Sequence, residues 1–282
     1  MIVWLASYPK SGNTWLRSLL ASYYFSKEGE FNFKLLEKIR QFPSPDDFVN
    51  DNELYTTIES TSKYWISKQV NMNLDKRLKL LKTHNAICKI NGNPFTDTKN
   101  TLGAIYIVRD PRNIVTSLAN HYQINKNKAL DFMRNETRYI YEKRGDRFLG
   151  FSPLFSWSKH VDSWISCKSF PILTIRYEDL HQETFQTLKK VVDFIKTISK
   201  SKNSFNRDKA KQSIKSCEFD KLKKLEIKEG FQEAVMKKDK SDKVKFFNLG
   251  QENDYKKILN QNLIIEMNNL YKKEILKFNY EK

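Results

Sequence analysis

Lys10, Lys82, His84 and Arg109 are the side chains whose types and positions could act on an anion. Lys10 stands in the run Tyr8-Pro9-Lys10-Ser11-Gly12-Asn13-Thr14-Trp15, between the apolar stretch Ile2 to Ala6 and apolar residues at helical spacing. A strand, a tight loop and a helix start in that order form an anion cradle. The first N–H groups of a helix have no intrahelical acceptor, and the helix dipole favours negative charge beside them. Pro9 bends the loop, Gly12 lets the backbone come close, and Ser11, Asn13 and Thr14 are small and polar. A phosphate, sulfate or carboxylate is the expected ligand.

Such groups need strands that end at one edge of a sheet. Trp15, Leu16, Leu19, Leu20, Tyr23 and Tyr24 recur at helical spacing, which predicts a first helix ending before Lys27-Glu28-Gly29. Leu78 to His84 reads as a short strand, and Ala104 to Val108 as another that ends at Arg109-Asp110-Pro111. In open parallel sheets ligands bind beyond the carboxyl ends of the strands, which is where Lys82 and His84 fall. Asp110 suits a helix N-cap with Pro111 in the first helical position, and Ser117 borders the stripe Ile114, Val115, Leu118, Tyr122. Trp157, His160, Val161 and Trp164 mark a further helix, Pro171 to Tyr177 a strand, and Leu188, Val191, Val192 and Ile195 another helix.

Residues 31–78 read as an excursion that walls a pocket, with a turn at Pro43-Ser44-Pro45-Asp46-Asp47. Residues 125–150 read as charged and irregular, and the tail beyond Lys196 as lysine-rich and helical apart from a loop around Val244 to Asn253. Strands alternating with helices predict an α/β, P-loop-like three-layer fold, a central parallel sheet flanked by helices, in a single domain over residues 1–282.

The 282 residues can bury one large core. No apolar run approaches the roughly 18 residues of a membrane-spanning helix, and Ile2 to Ala6 is too short for a signal peptide. Cys88, Cys167 and Cys217 are scattered without metal-ligand spacing, so no metal site is expected and a reducing cytoplasm fits best. The net charge of +17 admits nucleic acid or a membrane surface as a partner. The lysines are dispersed and no nucleic-acid motif stands among them, so no nucleic acid is expected. The charge reads as solvated faces that would help draw in an anionic ligand.

Against the Walker A pattern, Ser7 takes the first glycine, Gly12 the second, Asn13 the lysine and Thr14 the last position. The lysine stands earlier, at Lys10, which weighs against ordinary nucleoside-triphosphate hydrolysis. The run Tyr8 to Trp15 resembles the 5′-phosphosulfate loop of sulfotransferases, enzymes that use 3′-phosphoadenosine 5′-phosphosulfate (PAPS) and release adenosine 3′,5′-bisphosphate (PAP). Lys82-Thr83-His84 resembles the Lys-Thr-His run of the cytosolic members. The resemblance implies His84 as catalytic base, Lys82 on the transferring sulfuryl group, and Lys10 on the bridging oxygen. It implies Ser11, Gly12, Asn13, Thr14 and Trp15 around the 5′-phosphate, with Trp15 also stacking on adenine.

Arg109 and Ser117, eight residues apart, match the arginine and serine that bind the 3′-phosphate in that family. Tyr177-Glu178-Asp179-Leu180 and Phe219 resemble its adenine-contacting segments, and Trp157, His160 and Trp164 resemble a packing helix. Near the C-terminus, Gly250, Asp254 and Tyr255 keep the outline of the family's Arg-Lys-Gly and Gly-Asp-Trp. Asn248 and Leu249 replace the two cations, with Lys243 and Lys245 as nearby substitutes. The acceptor implied is a small alcohol, phenol, sugar or lipid hydroxyl, or an amine. Two other readings stay open. One is a P-loop kinase with Ile105 to Asp110 as its Walker B strand and Thr14 on magnesium, against which Asn13 weighs. The other is a non-catalytic, basic RNA- or anion-binding protein, which leaves Lys82-Thr83-His84 unexplained.

Overall fold

The computed structural model describes residues 1–48, 57–144 and 147–281. Four parallel strands form the central sheet: β1, Ile2–Ser7; β2, Lys79–Thr83; β3, Thr101–Val108; and β4, Ile172–Arg176. Their spatial order is β2-β1-β3-β4. All six residues of β1 are buried, as a strand covered on both faces requires. Alternation along the strands sorts the side chains into two layers. Ile2, Trp4 and Ala6 join Ala104, Tyr106 and Val108 in one, whereas Val3 and Leu5 join Ile105 and Ile107 in the other.

Helices seal both layers. Helix α1, Asn13–Phe25, contributes Leu16, Leu19 and Leu20 to the second layer. Helix α2, Pro111–Tyr122, contributes Ile114, Val115 and Leu118 to the first, and helix α3, Trp157–Ile165, adds Trp157, Val161 and Trp164. Helix α4, Thr184–Ser199, lays Leu188, Val191 and Ile195 on the second layer. The expected α/β architecture is therefore present, a central parallel sheet flanked by helices.

The register aligns the strand ends. Ala6 lies opposite both Thr83 and Tyr106, and Val108 lies opposite Arg176. The loop after β1, His84, Arg109 and Tyr177 consequently share one edge. Asp110 caps α2 as its sequence suggests, accepting from the Arg112 amide at 2.9 Å. Helix α3 fixes the segment that follows β2. His160 donates from Nε2 to the His84 carbonyl at 3.0 Å and accepts at Nδ1 from the Tyr106 hydroxyl at 2.9 Å. Trp164 donates to the Asn85 carbonyl at 3.0 Å. These contacts bear out the packing role of that helix.

Residues 125–150 depart from the irregular expectation. They form a helix, Lys126–Arg134, capped by Asn125, and part of an antiparallel hairpin of Tyr139–Arg144 and Arg147–Pro153. Positions 145 and 146 lie outside the described residues. Only Ala129, Leu130 and Met133 of that helix are buried, and the exposed Lys128, Asp131 and Arg134 between and after them obscure the apolar period.

Candidate active site

A cavity of about 730 Å³ opens at the carboxyl edge of the sheet. Lys10, Gly12, Asn13, Thr14, Trp15, Lys82, His84, Arg109, Ser117, Tyr177, Phe219 and Gly250 all line it. Ser11 does not. It is buried off the wall, in a turn closed by its amide on the Tyr8 carbonyl at 3.3 Å, and its Oγ has no hydrogen-bond partner. Of the excursion at 31–78, Gln41 alone among the described residues reaches the cavity, and Ile140 is the contribution of the hairpin.

Gly12 precedes α1 at φ +96°, and a Cβ there would sit 2.4 Å from the Tyr177 ring. Only glycine meets both conditions. Asn13 donates its side-chain amide to the Leu5 carbonyl at 2.8 Å and to Ser7 Oγ at 3.2 Å. In the position of the Walker lysine it ties the loop to β1, so what it offers an anion is its backbone N–H. Gly12, Asn13 and Thr14 thus present amides at a helix start, where no intrahelical acceptor exists.

Lys10, in a left-handed backbone conformation at φ +68°, carries Nζ 3.9 Å from the centre of the Phe246 ring. Burial, with Lys82 and Arg109 nearby, pulls its pKa down to about 7 despite the opposing pull of Glu233. Lys82 is 4% exposed and also lowered, first by burial and then by the Arg17 charge.

Glu233 answers these charges. Its Oε2 accepts from Lys82 Nζ at 2.8 Å and from Thr14 Oγ1 at 3.2 Å, and its Oε1 pairs with the Arg17 guanidinium. Burial alone would raise this carboxyl, but Lys82 and Arg17 override it and hold it well below the usual carboxylate range. Neither Glu233 nor Arg17 follows from a sequence motif. A charged residue inside the apolar stripe of α1 was the one available signal, since a buried arginine demands an acidic partner.

His84 has a defined tautomer. Its Nδ1 lies 2.8 Å from the Ser7 carbonyl, which can only accept, so the proton is on Nδ1 and Nε2 keeps its lone pair. Burial first, then the Lys82 charge, lowers its pKa to about 3. The ring is neutral at physiological pH. His121 on α2 and His181 also line the wall, and no sequence motif points to either. Burial, with Lys10 and Lys82, lowers His121 to about 4.

Farther along, the Arg109 guanidinium stacks 4.1 Å from the Tyr177 ring and donates Nη1 to the Lys10 carbonyl at 3.0 Å, leaving its buried Nε without a partner. Trp15 is anchored by its indole N–H on the Cys217 carbonyl at 3.0 Å, and its ring centre lies 6.0 Å from that of Tyr177. Phe219 rests on Gly250 so closely that a Cβ there would lie 2.6 Å from the ring. Aromatic faces, a guanidinium and small residues thus line one end, and the lysines, His84 and the loop amides the other. That arrangement suits a purine bearing phosphates. As for the Walker B expectation, Asp110 is 5% exposed and is engaged by the Arg112 guanidinium at 2.6 Å.

Comparison with known proteins places these features in a family. The family model described as a sulfotransferase domain matches residues 2–279. Luciferin sulfotransferase of Photinus pyralis is 23% identical over 285 residues, covering 96% of this chain and 70% of that protein. A mouse sulfotransferase complexed with PAP shares the fold at TM-score 0.58 and 18% identity, over 97% of this chain and 84% of that one. A retinol dehydratase in complex with androsterone and inactive cofactor PAP gives TM-score 0.58 at 15% identity, over 97% and 80%.

The Glu233 clasp has a measurable consequence. A carboxyl held below its ordinary value of 4.5 binds fewer protons folded than unfolded, so its stabilisation is present above pH 4.5 and fades as pH falls below it. Glu233→Gln is expected to lower stability at neutral pH by about 3 kcal/mol, because buried cations lose their counter-ion. It is also expected to flatten the acid limb of the stability profile. Urea unfolding of both proteins between neutral and acid pH checks both effects.

Proposed function

The chain belongs to the sulfotransferase domain family, and from that membership we propose that it moves a sulfuryl group from PAPS to a hydroxyl or amine of a small-molecule, glycan or lipid acceptor. The observation that carries this reading is the meeting, in one cavity, of Lys10, Lys82 and a neutral His84 whose Nε2 is free to accept a proton. The residues suit the nucleotide: the loop presents helix-start amides with no intrahelical acceptor, and Arg109, on the wall, keeps a buried Nε without a partner.

Bound here, PAPS would supply an activated sulfuryl group and depart as PAP. The amides of Gly12, Asn13 and Thr14 hold the 5′-phosphate, and Lys10 neutralises charge on the bridging oxygen. Lys82 holds the sulfuryl oxygens, aimed by its bond to Glu233. Arg109, Ser117 and Gly250 hold the 3′-phosphate, while Trp15, Tyr177 and Phe219 enclose adenine. Preorganised charge of this kind lowers a barrier because it needs no rearrangement as charge develops.

His84 accepts the acceptor proton at Nε2. The neighbouring Lys82 charge disfavours an imidazolium, so the proton moves as the acceptor oxygen gives up electron density to sulfur rather than before. Gln41, His121, Tyr122 and Ile140 shape the wall on which the acceptor rests. We read residues 1–282 as one domain, since both core layers share the same sheet. The unpaired Cys88, Cys167 and Cys217 suit a reducing cytoplasm.

His84→Ala is expected to reduce transfer of labelled sulfuryl from PAPS, across a panel of acceptors, by at least about 100-fold with PAP binding retained. Near-wild-type transfer would remove His84 as the base. Lys10 must be charged to hold an anion, and its pKa of about 7 predicts that PAP affinity declines as pH rises above 7. Proton uptake on binding near that pH, read by calorimetry in buffers of different ionisation enthalpy, checks this.

A further inference from the structure

Beside Gly250 the cavity wall is uncharged over two successive positions. Asn248 and Leu249 line the wall there with uncharged side chains. Neither nearby lysine reaches the gap: Lys243 donates Nζ to the Phe231 carbonyl at 3.2 Å, and neither it nor Lys245 is on the wall. Among the described residues the lysines and arginines on the wall are Lys10, Lys82, Arg109 and Lys223. Lys10 and Lys82 belong to the Glu233 end. Arg109 is held between Tyr177 and the Lys10 carbonyl. Lys223 has no assigned role.

We propose that Lys223 is a second cation, beside Arg109, at the 3′-phosphate; this rests on the PAPS reading above. Lys223 lies on the helix Phe219–Glu229, designated α5. Residues four apart share a helix face, so Lys223 follows one turn after Phe219, the ring that packs on Gly250. Lys223 is half-buried and has no ion pair among the described residues, whereas its neighbour Lys221 pairs with Glu218 at 3.1 Å. Its four-carbon stem lets the ammonium reach across apolar wall. Glu218, Asp220 and Glu252 line the same cavity. A phosphate there would meet like charge, which makes a facing cation necessary for the site to prefer a 3′-phosphate.

Calorimetry with PAP and with adenosine 5′-phosphate, which differs only in lacking the 3′-phosphate, tests this on the wild type, Lys223→Ala and Lys223→Arg. Lys223→Ala is expected to lose about tenfold in PAP affinity, leaving adenosine 5′-phosphate within about twofold, and Lys223→Arg to restore most of the loss. An alanine variant that binds PAP as the wild type does, or that weakens both ligands equally, overturns the assignment. If the wild type itself shows no preference for PAP, the donor reading fails and the assignment with it.

Discussion

Like charges buried together repel, and this chain gathers several at one edge of its sheet. Lys10, Lys82 and Arg109 face a shared cavity, with Arg17 beside them on α1. In a protein interior such repulsion is far stronger than in water. Glu233 offsets part of it, placed between Arg17 and Lys82 and bonded to Thr14. Even so, burial keeps Lys10 and Lys82 below their ordinary pKa. An anion bound beside them would favour the charged forms of both lysines.

The fold makes that concentration of charge possible. A parallel sheet gathers the carboxyl ends of its strands at one edge, and the register of β1 with β2 and β3 brings Lys10, His84 and Arg109 there together. Helix α1 adds its N-terminal dipole at the same place. Helix α3 holds the backbone of His84 and Asn85 through His160 and Trp164, while the Ser7 carbonyl sets the histidine tautomer. His84 is thus held from two sides of the sheet edge. Arg17 and Glu233 are 216 positions apart, so the charge clasp closes only once distant segments have packed.

What could be read in the sequence follows the range of each interaction. The loop around Lys10, the Asp110 cap and the strand ends at Lys82 and Arg109 declare themselves because their chemistry is local. Glu233 does not, because its partners are fixed by tertiary packing alone. Ser11 and Asn13 show the limit from the other side. Ser11 is buried off the wall, and Asn13, though on it, turns its side-chain amide back to Leu5 and offers the cavity its backbone N–H. A small polar side chain such as that of Asn13 satisfies buried backbone as readily as it meets a ligand. The hairpin after residue 138 is hidden for a different reason: the run Glu142-Lys143-Arg144-Gly145-Asp146-Arg147 interrupts any alternation of apolar residues.

The central claim is that the cavity is a metal-independent site for an adenosine nucleotide phosphorylated at both the 3′ and 5′ positions. A ligand that binds only the folded state raises the melting temperature, so the most direct measurement is a thermal melt with PAP in the presence of a chelator, beside one with ATP and magnesium. The account predicts a clear rise with PAP and a smaller one, or none, with ATP and magnesium. A rise with ATP and magnesium alone would contradict it and return the P-loop kinase reading.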